Sequence, residues 1–343
     1  MDWILFLYKF VFLIVIFLIT LVVAMYSTYG ERKVAAFMQD RRGPNRAGPF
    51  GLLQPLADGV KMFMKEEIIP TTANRMLFIL GPSIAMTTAM LTGVVIPWGG
   101  TITIGGREFS MQIADLNIGI LYVFAMVSIG VYGIMIGGWA SNNKYALLGS
   151  IRAASQMISY ELAMGMSIIA LILTTGSLSL HDIVEQQQGW HWNIIYQPIG
   201  FLVFIICALA ETNRAPFDLP ECETELIGGY HTEYSSMKLG FYLFAEYINM
   251  FISSAVMATL YFGGYNVPLI DQLGLSQNTV TLLGSLFFFI KILVLIFVFM
   301  WIRWTLPRFR YDQLMNLGWK KLMPLAIFNI LATGTYYYFT AFN

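Results

Sequence analysis

Long apolar runs separated by shorter polar segments set the pattern of this chain. Each run approaches the roughly 20 residues that an α-helix needs to cross a bilayer. Charged residues, glycine and proline bound the runs and mark where the helices should end. The pattern predicts eight transmembrane helices, near residues 4–29, 76–97, 118–139, 155–176, 194–211, 239–263, 279–302 and 322–342.

A different periodicity occupies the segment after the first apolar run. Apolar residues recur there at helical spacing, while Asp58, Lys61 and Lys65 mostly lie off that stripe. The pattern predicts an amphipathic helix near residues 52–66 that lies at the membrane surface. A cytoplasmic helix docked on a partner protein is the alternative. The apolar positions are Leu52, Leu56, Val60 and Phe63.

The composition agrees with a membrane protein. Hydrophobic residues fill 57% of the 343 positions and charged residues only 12%, whereas ordinary soluble domains have about 25% charged residues. Lipid must therefore replace water around much of the surface, and residues 1–343 are expected to form a single membrane domain. The formal net charge of zero argues against a nucleic-acid partner.

Positive charge is unevenly distributed among the predicted loops. The loops after the first, third, fifth and seventh predicted helices hold most of the Lys and Arg residues. These loops are expected to face the cytoplasm, because cytoplasmic loops retain positive charge. The sequence thus predicts an all-α polytopic membrane protein with both termini on the outer side and the amphipathic helix on the cytoplasmic side.

The motifs typical of redox and metal proteins are missing from the sequence. Cys207 and Cys222 form no CxxC pair, no GxGxxG or P-loop sequence is present, and the histidines lack a spacing typical of haem ligands. We therefore expect no redox centre, no metal site and no catalytic residue in this chain. The Gly133 to Gly137 spacing predicts close helix packing rather than ligand binding.

Carboxylates are crowded after the fifth predicted helix, where a cytoplasmic loop is expected to span residues 212–238. Crowded carboxylates titrate as a coupled group, so some should stay protonated near neutral pH. The pattern favours a proton path, and a solvated acidic loop is the alternative. The charged residues at positions 211–225 are Glu211, Arg214, Asp218, Glu221, Glu223 and Glu225.

Ionisable residues also fall inside the predicted spans, at Glu161, Glu246 and Lys291. A charge there costs several kcal/mol unless it faces protein or water. Lys291 should be paired or neutral, with a partner from another helix or subunit. A structural ion pair between Glu246 and Lys291 is the alternative.

The sixth predicted helix carries a polar stripe on one face. Its members follow one another at helical spacing, so they should look into a hydrated interior or onto another subunit. They are Tyr242, Glu246, Asn249 and Ser253.

Five stretches resemble the H subunit of respiratory NADH:quinone oxidoreductase (complex I), which is called subunit 1 in mitochondria. The longest begin ERKVAAFMQDRRGPNRAGPFGLLQ and ETNRAPFDLPECETELIGGYHTEYS. The resemblance extends along nearly the whole chain, which makes it far more specific than a lone motif. The stretches occupy residues 31–66, 138–161, 211–235, 245–247 and 306–320.

This resemblance implies a membrane subunit at the junction with the peripheral arm that helps to form a quinone chamber. The substrate would be ubiquinone or menaquinone, and the FMN and iron–sulfur clusters would belong to partner subunits. The terminal cluster would lie in a neighbouring peripheral-arm subunit, and other membrane-arm subunits and lipids would surround the chain. The bacterial inner membrane is expected rather than the mitochondrial one.

Roles follow from the resemblance by motif position. The acidic loop would lie beside the chamber, with Glu211 and Arg214 bordering it and Asp218, Glu221, Glu223 and Glu225 beyond them. Glu161 and Glu246 would continue a charged route into the membrane, and we include Lys291 in this proton-coupling set. Residues expected to line or support the chamber and its apolar doorway are Arg32, Arg42, Asp58 and Phe63.

Other functions remain open at this point. The membrane subunit of an energy-converting hydrogenase shares this architecture, although the complete ETNRAPFDLPE stretch favours the quinone enzyme. A stand-alone proton-coupled transporter would also contain buried acids, but it typically shows repeated halves, which are not evident here. A non-catalytic scaffold subunit would not need the internal charges.

Overall fold

A computed structural model describes residues 3–219, 226–268 and 274–341 of the chain. Most of the described residues are helical. In chain order the α-helices are α1 (Trp3–Met38), α2 (Gln54–Met64), α3 (Arg75–Thr92), α4 (Gly119–Ala140), α5 (Lys144–Thr175), α6 (Leu180–Gln186), α7 (Asn193–Tyr196), α8 (Pro198–Glu211), α9 (Ser236–Tyr261), α10 (Gln277–Thr305), α11 (Tyr311–Asn316) and α12 (Met323–Ala341).

Short elements connect these helices. Within the described ranges, 3-10 turns occupy Pro49–Gly51, Gly93–Val95 and Gly229–His231, and a π-helical segment, Leu317–Leu322, joins α11 to α12.

A small hairpin corrects the expectation of an all-α chain. Strands β1 (Thr101–Ile104) and β2 (Arg107–Ser110) pair antiparallel. The first strand is built from β-branched residues, and both Gly105 and Gly106 adopt positive φ in the turn. These are the residue types that favour a tight hairpin. A hydropathy pattern that marks membrane-spanning helices does not reveal strands this short.

Six helices in the described ranges are long and apolar enough to cross a membrane: α1, α3 with its 3-10 extension, α4, α5, α9 and α10. The other two predicted spans are helical but fall outside this set. Helix α8 has 14 residues, about 21 Å at 1.5 Å per residue, which is less than the hydrocarbon thickness. Helix α12 has 19 residues and continues from α11 through the π-helical segment.

Two long helices extend beyond their apolar runs. Helix α1 continues past residue 29 to Met38, and α5 begins at Lys144 rather than near residue 155. The extension of α1 buries Glu31, Ala35 and Ala36 against the rest of the protein. Hydropathy marks only the part of a helix that faces lipid, so it missed these polar turns.

Helix α9 is the central helix. Its apolar stretch is 72% buried, compared with 22% for α1. It packs against α1, α2, α3 and α10. Polar side chains on α9 are therefore placed to meet groups from several other helices.

Helices α3 and α4 meet at three glycines, Gly81, Gly133 and Gly137. A Cβ atom on Gly133 would lie 2.8 Å from the Ala85 nitrogen and 2.9 Å from the Gly81 oxygen. The space over Gly137 is taken by the hydroxyl of Tyr242, which donates to the Gly133 carbonyl at 3.1 Å. The close packing predicted from the Gly133 to Gly137 spacing is confirmed.

Replacing Gly133 by Ala should destabilise the protein. The added methyl group would meet backbone atoms of α3 that cannot move independently, and overpacking of this kind costs about 1–3 kcal/mol. The measurement is the unfolding temperature of the purified chain in detergent. Gly165→Ala is the matched control, because no atom lies within 4 Å of the corresponding Cβ position on α5. Equal unfolding temperatures for both variants would show that the helices do not pack this closely.

Candidate functional site

Four charged side chains from four segments meet beside the central helix. They are Glu31 of α1, Glu246 of α9, Arg303 of α10 and Arg214 of the loop after α8. The Nη1 atom of Arg214 lies 3.1 Å from Oε2 of Glu31, and its Nη2 atom lies 3.0 Å from Oε2 of Glu246. Arg303 pairs with Glu31 as well. We call these four residues the charge cluster.

The charge cluster is largely removed from water. The side chains of Glu31, Arg214 and Glu246 are 9%, 11% and 8% exposed. Two tyrosines complete their pairing: Tyr247 donates to Glu31 at 2.8 Å and Tyr230 donates to Glu246 at 2.9 Å. Buried charges are tolerated only when partners replace water. With two arginines and two carboxylates, the cluster is neutral when all four residues are ionised.

A cavity of about 360 Å³ lies against the charge cluster. This volume falls in the range of small-molecule sites. Its charged lining residues are Arg214, Glu246 and Arg303 of the charge cluster, together with Arg32, Asp58 and Lys61 from α1 and α2. The remaining walls, from α1, α2 and α9, are largely apolar. Their side chains include Met25, Pro55, Met62, Leu243 and Phe244.

Arg32 and Asp58 form the edge of this cavity. Their side chains pair at 2.6 Å, and Gln54 donates to the same carboxylate at 3.1 Å. Both residues line the cavity. Arg42, in contrast, is exposed in the loop after α1 and is not among the described lining residues.

Helix α2 separates the cavity from the exterior. Pro55 and Met62 face inward, whereas the apolar stripe lies on the outer side. Phe63 is 71% exposed there, so the structure does not bring it to the cavity wall. The stripe predicted from the sequence is thus an exposed apolar face of the chain. Its members are Leu52, Leu56, Val60 and Phe63.

Two water-sized cavities continue inward from Glu246. Each measures about 30 Å³, and a single water needs roughly 10–15 Å³ on this measure. Glu246 lines the large cavity and the first small one, while Glu211 and Asn249 line both small ones. Ser253 lines the second. The polar stripe of α9 therefore lines internal cavities that are large enough to hold water.

Glu161 lies next to these cavities on α5. Met157 and Met164, which are one turn away on either side, line the first and second small cavity respectively. Residues at this spacing share a helix face. Glu161 accepts a hydrogen bond from the Ser128 hydroxyl of α4.

The described part of the acidic loop is also paired. Arg308 donates to Asp218 at 2.8 Å. Burial raises the pKa of the Asp218 carboxyl above its ordinary value, and the guanidinium of Arg308 opposes this shift. Burial lowers the pKa of His231, and the nearby Glu246 opposes that shift. Glu221, Glu223 and Glu225 lie outside the described residues.

Lys291 is held by backbone oxygens rather than by an acid. Its ammonium donates to the carbonyls of Phe262, Gly264 and Asn266 at 2.7, 2.8 and 3.1 Å. Lys291 is paired, as predicted, and its partners lie at the end of another helix, α9, and in the turn that follows it. The alternative of a Glu246–Lys291 pair is wrong, because Glu246 pairs with Arg214. Lys291 thus caps the carbonyl end of α9, where a cation is favourable.

Several residues of the site do not follow from the sequence patterns. Hydropathy places Glu31 in a loop, because the first apolar run ends before it, and marks Arg303 only as a cytoplasmic charge. Tyr230 and Tyr247 carry no signal as single residues. The resemblance stretches at 31–66, 211–235 and 245–247 do contain Glu31 and both tyrosines. Among the described residues, no three His, Cys, Asp or Glu side chains converge as metal ligands.

Comparison with known proteins identifies the family. A family model described as NADH dehydrogenase matches residues 10–334. The NADH-quinone oxidoreductase H subunit 1 of Cytophaga hutchinsonii is 73% identical over 319 residues, which is 93% of each chain. The H subunit of Flavobacterium psychrophilum is 63% identical over 330 residues, covering 95% of this chain and 96% of the relative. The H subunit of Leptospira biflexa is 48% identical over 346 residues, covering 98% and 96%.

The chain belongs to the family of NADH-quinone oxidoreductase H subunits. The resemblance inferred from its motifs is confirmed, which favours the quinone enzyme over a hydrogenase membrane subunit or a stand-alone transporter. Its long apolar helices agree with an integral membrane protein. In this H subunit, Arg32, Asp58, Arg214 and Glu246 meet at one cavity.

The structure predicts a stabilising role for Lys291. Replacing Lys291 by Met should leave three part-buried carbonyls without their cationic donor and lower stability by about 1–3 kcal/mol. The unfolding temperature in detergent measures this effect. Lys320→Met is the control, because Lys320 is exposed. An unchanged unfolding temperature for Lys291→Met would mean that the carbonyl contacts contribute nothing to stability.

Proposed function

We propose that this chain is the membrane subunit of a proton-pumping NADH:quinone oxidoreductase that forms one wall of the quinone chamber. A cavity whose lining combines charged and apolar side chains is the observation that carries the proposal. A quinone has the matching chemistry, with a polar head group and a long apolar tail. The names of the relatives supply the reaction class.

The head group would bind beside the charged side chains of the cavity. Its two carbonyl oxygens accept hydrogen bonds, and the cationic donors in the lining are Arg32, Lys61, Arg214 and Arg303. The isoprenoid tail would lie along α1 and α2 and leave beside the exposed stripe that contains Phe63. Either ubiquinone or menaquinone fits this description.

Electrons would come from outside this chain. FMN and the iron–sulfur clusters belong to partner subunits in this proposal, and the terminal cluster lies in the peripheral-arm subunit that closes the chamber. Two electrons and two protons convert the quinone to the quinol. This chain binds the quinone, excludes water from it and responds to the charge that reduction brings.

The coupling route would start at the charge cluster. Negative charge on the reduced quinone favours protonation of Glu246, because Arg214 is then attracted to the quinone as well as to the Glu246 carboxylate. The small cavities connect Glu246 to Glu211 and bring the route near Glu161. Lys291 would contribute indirectly, by fixing the end of α9. The acids of the loop, Asp218, Glu221, Glu223 and Glu225, would form a second proton reservoir.

The arrangement in the membrane is part of this proposal. Helices α8 and α12 would complete eight spans, with both termini on the outer side of a bacterial inner membrane. The charge cluster and α2 would then face the cytoplasm, where the peripheral arm docks. Lipids and neighbouring membrane-arm subunits would cover the remaining apolar surface.

Glu246→Gln in the assembled enzyme tests the proposed function. NADH-to-ferricyanide activity should survive, because it needs only the partner subunits. Quinone reduction and proton pumping should both fall by about tenfold or more, because a proton-accepting group has been removed.

Glu108→Gln on the exposed hairpin is the control for this test. It should leave all three activities unchanged. A correctly assembled Glu246→Gln enzyme that reduces quinone and pumps protons at wild-type rates would contradict the proposal.

A further inference from the structure

A single buried side chain holds both ends of the loop that carries Arg214. Gln156 of α5 is 1% exposed. Its Nε2 atom donates to the Ala210 carbonyl at 2.8 Å and to the Phe217 carbonyl at 2.9 Å, and it lies 3.3 Å from Oδ1 of Asn213. We infer that Gln156 is a positioning residue that places Arg214 between Glu31 and Glu246.

The loop leaves the end of α8 and folds back on α5. Asn213 has a positive φ of 51°, and the Phe217 nitrogen donates to the Arg214 carbonyl at 2.8 Å. These features bring Ala210 and Phe217 close enough to share one amide group. Arg214 occupies the middle of the loop and points to the opposite side, toward the charge cluster.

Other contacts each hold one half of this loop. In the first half, the Nδ2 atom of Asn213 donates to the Met157 sulfur at 3.4 Å. The Phe309 nitrogen donates to the Pro216 carbonyl at 3.1 Å, and the rings of Phe217 and Phe309 pack at 5.4 Å. Both contacts act on the second half of the loop. Gln156 joins the two halves, so it limits how far Arg214 can shift between the carboxylates of Glu31 and Glu246.

The orientation of the Gln156 amide shows which of its atoms holds the loop. Its Oε1 atom is buried and has no hydrogen-bond partner among the described residues. An unsatisfied buried acceptor is unfavourable. If Gln156 only filled space, the protein would be more stable with an apolar side chain at this position. The donor side of Gln156 is therefore the part that the loop requires.

The loop itself can be tested independently of activity. Hydrogen exchange of residues 210–219 in the purified complex should become about tenfold faster in Gln156→Leu, because the amide that closes the loop is lost. Gln186→Leu is the matched control, since it removes a side-chain bond to the Thr175 carbonyl far from the cluster. Unchanged exchange in Gln156→Leu would overturn the inference.

The effect on activity rests on the proposed function. Gln156→Leu should lower quinone-linked turnover about tenfold at every pH and raise the KM for quinone, while ferricyanide reduction is kept. Gln156→Glu should retain activity at acid pH, where the carboxyl group can donate a hydrogen bond. Its activity should fall as pH rises, because a carboxylate would face three oxygen acceptors.

The Glu variant separates positioning from packing. Equal activity of Gln156→Leu and Gln156→Glu at every pH would overturn the inference, since size and burial alone would then explain the loss. If Gln156→Leu does not assemble, the pH profile of Gln156→Glu decides, and a profile that matches the wild type would count against the positioning role.

Arg214→Gln separates a failure of the proposed function from a failure of the inference about Gln156. Wild-type quinone reduction in Arg214→Gln would contradict the proposed function and leave the exchange result for Gln156 standing. A loss in Arg214→Gln without a loss in Gln156→Leu would overturn only the inference about Gln156.

Discussion

The pairing of Arg214 with two buried carboxylates is the contact on which the rest of the site depends. Removing a guanidinium and two carboxylates from water is expensive, and only close partners with good geometry offset that loss. Glu31, Glu246 and Arg303 supply those partners from three different helices. The proposed coupling rests on this arrangement, because Arg214, Glu246 and Arg303 also line the adjoining cavity.

The fold provides the partners by extending helices beyond their lipid-facing parts. The added turns of α1 carry Glu31, the last turn of α10 carries Arg303, and the buried helix α9 carries Glu246. The glycines of α3 and α4 leave room for Tyr242, which packs edge-on against Tyr230. Tyr230 in turn donates to Glu246. Helix packing and the electrostatics of the site are thus directly connected.

Sequence patterns predicted the features that depend on the spacing of residues within one helix. The polar stripe from Tyr242 to Ser253 and the packing glycine at 133 follow from helical periodicity alone, and both lie where expected. The partners of Arg214 and Lys291 did not follow, because each is set by contacts between segments far apart in the chain. Gln156 resembles any other polar residue until the loop around it is known. The hairpin went unrecognised, because hydropathy does not register short strands.

The central claim is that a carboxylate of the charge cluster takes up a proton when quinone is reduced. Redox-induced infrared difference spectroscopy of the assembled enzyme tests it directly, because a protonated carboxyl has its own C=O stretching band. We predict that such a band appears on quinone reduction, disappears in Glu246→Gln and persists in the Glu108→Gln control. An identical difference spectrum in wild type and Glu246→Gln would contradict the account.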